Sequence, residues 1–185
     1  MIMDKTYIAF LRGINVGGHH KVPMADLCTH LESLGFTNIV TLLNSGNIIF
    51  NAAETEITKL EDSISESLEE RFGFPIPVII RTQEDIQELY NRDPFHGIAP
   101  NQDLRLFVSF LKQDTGDKIK IPMENEDKSF QIIDKCGGAI ISILDISKTS
   151  SPIGMKELEK IYGSGITTRN WNTIVRLESK LRVLG

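Results

Sequence analysis

Residues suited to holding an anion are concentrated in one short segment, RGINVGGHHK, residues 12–21. The backbone N–H groups of Gly13, Gly17 and Gly18 can turn toward a single ligand, because glycine takes positive φ and lets a ligand approach the main chain. Such amides, ahead of the positive end of a helix dipole, form an anion site. Arg12 can add a two-pronged guanidinium and Lys21 a point charge, with Asn15 as an orienting amide. Residues of the same kind recur at two other places: Ser45 and Asn47 in NSGN, and Arg169 and Asn170 in TTRNWNT. With Thr168 as N-cap, Arg169 and Asn170 would fall in the first turn of a helix. Arginine there opposes the dipole, so it calls for an anionic partner, either an acid of the fold or a ligand.

Other chemistry fits less well. Gly13 and Gly18 have Walker A spacing, but His19 and His20 stand where Lys and Ser/Thr belong, and no Rossmann spacing is present. Ser45 has no base declared by any Ser/His/Asp order, so a turn built on Gly46 is the simpler reading. His19 and His20 are adjacent in a loop with no third ligand, so no metal site is expected. They are also the only nearby groups that titrate near neutrality, so no acid–base pair is identified; catalytic residues and cofactor are unassigned. Trp171 fits the apolar side of a helix better than a stacking platform.

These residues need a scaffold. The chain has 185 residues, enough for one large or two small domains, with the apolar and charged fractions of a soluble globular protein. No apolar run reaches membrane-helix length, and Asp4, Lys5 and Arg12 interrupt any leader-like stretch. A cytoplasmic protein without membrane association is expected. Cys28 and Cys136 form no disulfide framework, and Cys28 should be a buried thiol. A net charge of −5 argues against bulk nucleic-acid binding, although the chain from Lys156 onward holds six Lys/Arg against three Asp/Glu.

Apolar periodicity supplies the elements. TYIAFL reads as a strand. Met24, Leu27, Cys28, Leu31 and Leu34 mark a helix stopped by Gly35. NIVTLL and NIIF flank the Asn44-Ser45-Gly46 turn. Ile57, Leu60, Ile64 and Leu68 mark a second helix ending at Gly73. IPVIIR is a strand, and Thr82 with Asp85 suggests a capped third helix that Asp93-Pro94 ends. The order then begins again: strand LRLFVSFL, a weakly patterned segment to Glu126, a hairpin around Cys136-Gly137-Gly138, and a helix on Met155, Leu158 and Ile161. A short link at Ile166-Thr167 leads to a last helix on Trp171, Ile174, Leu177 and Leu181. The expected fold is therefore α+β, two ferredoxin-like (βαββαβ) halves with mainly antiparallel sheets. Residues 1–96 would form the first half and 101–185 the second, with the Pro94 and Pro100 region an exposed loop.

Taken together, RGINVGG with KVPM, GFTNIVTLLNSGNIIF and TTRNWNT resemble the bacterial proteins of the domain of unknown function 1697 family, in order and over nearly the whole chain. The resemblance implies a small cytoplasmic α+β protein. It brings no assigned activity, substrate, cofactor or catalytic residue. It does suggest that the three polar blocks converge on one site.

Three functions follow as expectations. The first is a binding protein for a small anionic, phosphate-bearing ligand held by Arg12, Gly13, Asn15, Gly17, Gly18, Lys21, Ser45, Asn47, Arg169 and Asn170. The second is an enzyme acting on a phosphorylated metabolite at that site. The third is a nucleic-acid-binding module, which would need exposed strand aromatics among Tyr7, Phe10, Phe50, Phe107, Phe110 and Phe130. Oligomeric state is left open.

Overall fold

The computed structural model describes residues 4–99, 101–114, 116, 118–149 and 153–184. The chain is α+β and divides into two units, Met1–Glu84 and Asp85–Gly185.

In the first unit the elements are β1 (Asp4–Leu11), α1 (Met24–Ser33), β2 (Thr37–Leu42), β3 (Asn47–Ala53), α2 (Ile57–Phe72) and β4 (Val78–Thr82). The sheet order is β2-β3-β1-β4 with every neighbouring pair antiparallel. Alternation places Tyr7, Ala9, Leu11, Ile48, Phe50, Val78 and Ile80 on one face, packed with Leu27, Leu31, Leu60, Ile64 and Leu68 of the two helices. Full burial of each such large side chain contributes about 1.5–3 kcal/mol. The intervening Ile8, Phe10, Ile49 and Ile79 are buried as well. This is why β1 reads as an unbroken apolar run rather than an alternation. Gly35 and Gly73 follow α1 and α2 at φ 89° and 81°, the left-handed stop that their sequence positions suggested.

The second unit holds β5 (Leu104–Leu111), the two-residue β6 (Met123–Glu124), β7 (Phe130–Cys136), β8 (Ala139–Asp145), α4 (Ile153–Tyr162), a 3₁₀ turn (Gly163–Gly165), β9 (Ile166–Asn170) and α5 (Trp171–Leu184). The helix α3 (Gln83–Arg92) begins at the division between the units and lies mostly in the second. The sheet order is β6-β7-β8-β5-β9, again antiparallel throughout. β7-β8-β5-β9 repeats the arrangement of β2-β3-β1-β4. The position of the first helix is different: the connection from β5 to β7 carries the short strand β6 instead. Both sheets thus agree roughly with the ferredoxin-like expectation, and the second departs from it by that helix.

Two boundaries differ from the sequence reading. The second unit begins at Asp85, not at 101, because α3 is fastened there. Tyr90 stacks on Trp171 with ring centroids 6.1 Å apart, Arg92 donates to Asp134 at 2.8 Å, and the Arg182 guanidinium lies over the Tyr90 ring. Asp93-Pro94 ends the helix but not the unit. Pro94 lies in a half-buried turn, and Pro100 falls outside the described residues. The expected link at Ile166-Thr167 is instead the start of β9, paired with β5 from Leu111↔Ile166 to Phe107↔Asn170. Ile166, Thr167 and Thr168 are β-branched, and the free side of β5 offers them a ladder, so strand pairing prevails over the helical cap assigned to Thr168.

Candidate functional site

The loop after β1 is fixed at its start by the main chain. Leu11 N–H donates to Gly46 O at 2.8 Å and Arg12 N–H to Pro77 O at 2.9 Å. Beyond Arg12, Gly13, Gly17 and Gly18 take φ of 73°, 59° and 80°, and a Cβ on any of the three would meet open space. Glycine is required here by backbone conformation and not by crowding. Val16 C=O accepts the His19 N–H at 3.1 Å, which closes a tight turn at the loop's tip.

Asn15 holds this loop together. It adopts φ 55°. Its Nδ2 donates to Val22 O at 3.0 Å and to Asn44 O at 2.8 Å, while its Oδ1 accepts the Val22 N–H at 2.9 Å. Both amide donors are therefore engaged, and Asn15 is a brace rather than a donor to a ligand. Asn47 is likewise fully buried, with Nδ2 donating to Leu42 O at 2.9 Å and Ser45 Oγ at 3.0 Å, so it closes the NSGN turn from inside. His20 stacks on Phe74 at 4.4 Å between ring centroids, and its Nδ1 lies 3.3 Å from Gly13 O. His19 and Lys21 are exposed.

The first two polar blocks therefore meet. The turn's Asn44 and the loop's Asn15, Gly18 and Lys21 border a shallow cavity of about 390 Å³ at the start of α1. Pro23 precedes that helix without a side-chain cap, and among the described residues no acid lines the cavity. Arg12, Ser45 and Asn47 are not among its lining residues.

The third block has different surroundings, in the second unit. Arg169 lies in β9, opposite Val108 of β5, rather than in a helical turn. Its side chain is buried, with Nη1 donating to Thr167 Oγ1 at 2.8 Å and Thr168 O at 2.9 Å. Burial pulls its pKa down to about 10, which still leaves it cationic at neutral pH. Thr168 Oγ1 pairs with Ser109 Oγ at 2.7 Å and is not an N-cap. Asn170 takes that role instead: its Oδ1 accepts the Asn172 N–H at 2.9 Å at the start of α5.

Asn170 also borders a second cavity, of about 580 Å³, with Trp171, Asn172, Gln102 and Arg105. The sequence reading missed Arg105 and Gln102. The one available signal was a charge inside the apolar run LRLFVSFL. Trp171 is half-buried, stacked on Tyr90 and edge-on to Phe95 at 5.3 Å, so it serves both as packing and as cavity wall.

Other expectations can be compared directly. Tyr7, Phe10, Phe50, Phe110 and Phe130 are buried and Phe107 is half-buried, so the strands carry no exposed aromatic platform at these positions. Among the described residues no group of three His, Cys, Asp or Glu could hold a metal ion. None of the described helices is long and apolar enough to cross a membrane. Cys28 is half-buried rather than buried, and burial raises the pKa of its thiol.

No curated protein matches the chain. A solved structure, "conserved bacterial protein SP0830 from Streptococcus pneumoniae", is similar with a TM-score of 0.65 at 21% identity, over 96% of this chain and 98% of that one. At that identity the likeness concerns the fold. The family model "Protein of unknown function (DUF1697)" matches residues 4–136. That match runs from β1 through the glycine loop and the NSGN turn to the end of β7, and by it the chain belongs to the DUF1697 family.

Proposed function

We propose that the protein binds a small anionic, phosphate-bearing ligand at the cavity between the glycine loop and the start of α1. The observation that supports this is the cavity's composition: Lys21 and the left-handed Gly18 on its border, a helix start without a side-chain cap, and no lining carboxylate among the described residues. A phosphate there would meet an ammonium, backbone amides and the positive end of α1 together. Lys21 and Gly18 take the leading roles. Arg12, Gly13 and Gly17 shape the approach, and Asn15, Ser45 and Asn47 hold the walls.

Binding is favoured over catalysis because the nearby imidazole of His20 is stacked on Phe74 and placed against a carbonyl. General acid–base work requires a group within reach of the reacting proton.

Thermal unfolding in inorganic phosphate tests the reading. Phosphate at about 100 times its dissociation constant should stabilise the protein by about 2.7 kcal/mol. Lys21→Ala should remove most of that gain while leaving the phosphate-free midpoint unchanged. A midpoint indifferent to phosphate, or an equal gain in Lys21→Ala, overturns it.

A further inference from the structure

The cavity of about 580 Å³ in the second unit has the size of a small-ligand pocket and a distinctive wall. Among the described residues Arg105 is its single charged lining residue. The Arg105 Nη1 donates to Gln102 O at 2.6 Å and Leu104 O at 3.1 Å, which fixes the plane of the guanidinium. Among the described residues it forms no ion pair, so its Nε and Nη2 are left for a partner. Gln102 and Asn172 add uncharged amides, and Ile98 and Leu104 add apolar surface.

The main chain contributes a second, independent feature. Leu111 N–H donates to Gly138 O on the β8 side of β5, and Lys112 N–H to Gly165 O on the β9 side. Amide direction alternates along a strand, so Leu106 presents both its N–H and its C=O to the β9 side. There the ladder has ended, because pairing stops at Phe107↔Asn170 and the chain turns into α5 at Trp171. The Phe107↔Asn170 pair sets the Leu106 C=O against the Trp171 N–H, so Leu106 lines the cavity with its N–H as the donor beyond the end of the ladder.

We propose that this cavity is a second binding site, for an N-acyl α-amino acid, either free or as the carboxyl end of a peptide. The carboxylate takes the open edge of the Arg105 guanidinium, and the neighbouring amide carbonyl accepts the Leu106 N–H. A monoanion balances one guanidinium. A phosphate dianion would leave a negative charge uncompensated in a partly desolvated site. Ile98 and Leu104 suit an apolar side chain. The site is built entirely from residues of the second unit, and its test does not use phosphate.

Trp171 is the single tryptophan of the chain and lines this cavity, so its fluorescence reports on this site. N-acetyl-L-leucine should change that emission saturably, and N-acetyl-L-leucinamide, which lacks the carboxylate, should bind about tenfold more weakly or worse. Arg105→Ala should weaken the acid by a similar factor. Asn172→Asp is the second variant: an acid in the first turn of α5 favours the helix, so thermal stability should hold while the carboxylate is repelled. Acetyl-Gly-Gly-Leu separates the sources: tighter binding than N-acetyl-leucine supports a peptide end, equal binding a free acyl amino acid. No saturable response, equal response to acid and amide, or parent-like titration of Asn172→Asp overturns the proposal.

Discussion

Gly46 passes Leu11 so closely that a Cβ placed on it would lie 2.7 Å from the Leu11 Cβ and 2.8 Å from Ile14 Cδ1. The same two residues share a main-chain hydrogen bond, Leu11 N–H to Gly46 O at 2.8 Å. The NSGN turn is thereby seated on the base of the glycine loop, and the cavity beside Asn44 depends on that contact.

Glycine replacements should therefore differ in severity. Gly46 combines φ 75° with a contact that no Cβ can share, whereas Gly17 has φ 59° and open surroundings. Gly17→Ala should destabilise by about 1 kcal/mol, from backbone strain alone. Gly46→Ala should lose roughly 3 kcal/mol or more, because overpacking adds to strain. Chemical denaturation of the two variants measures the difference, and equal losses would show that the turn can lift off β1.

Asn15→Ala should destabilise by about 2–3 kcal/mol, since it strands the Val22 N–H and removes donors from the Val22 and Asn44 carbonyls. It should also abolish any phosphate-dependent gain, although the Asn15 amide donors are already engaged by Val22 and Asn44, because the loop and the turn would no longer be held together. Asn15→Gly, which retains the positive φ, should recover part of the stability and none of the bracing. Hydrogen exchange at Val22 gives a local readout of the same change.

Arg169 should behave as an internal residue of β9. Arg169→Ala is expected to cost about 2 kcal/mol or more, through lost packing and the hydrogen bonds to Thr167 Oγ1 and Thr168 O. That loss should be the same with and without phosphate. A loss that appears only in its presence would make Arg169 a ligand residue after all.

Acid should weaken the second unit in particular. The Asp114 carboxyl is held below its usual 3.8 by a hydrogen bond from Lys135, at 2.6 Å, and by the Gly116 N–H. The Asp145 carboxyl is held below 3.8 chiefly by the Ser147 hydroxyl, at 2.6 Å. Groups with lowered folded pKa stabilise above the unfolded value and lose that stabilisation as pH falls through the folded one. Wild type and Asp145→Asn should therefore unfold at different urea concentrations at pH 6. The two midpoints should approach each other as the pH falls below about 3.8. A gap that persists at low pH would assign the difference to packing.

Local pattern was enough for most of the elements. The apolar spacing of Leu27, Leu31, Leu60, Ile64 and Leu68 defined two helices because that spacing is what a buried helical face requires, and Gly35 and Gly73 ended them because only left-handed backbone closes such a turn. The positive φ of Gly13, Gly17 and Gly18 was legible for the same local reason. β9 was not legible: Ile166 to Asn170 is a strand only because β5 lies beside it, and such pairing is a long-range property. The roles of Asn15, Asn47 and Arg169 depended on tertiary structure too. An asparagine or arginine has the same donors whether it faces a ligand or a carbonyl, and only the folded chain determined that theirs meet Val22, Asn44, Leu42, Thr167 and Thr168. Arg105 is the converse case. In sequence it is one charge in an apolar strand, and it borders a cavity because β9 ends one residue too soon to cover Leu106.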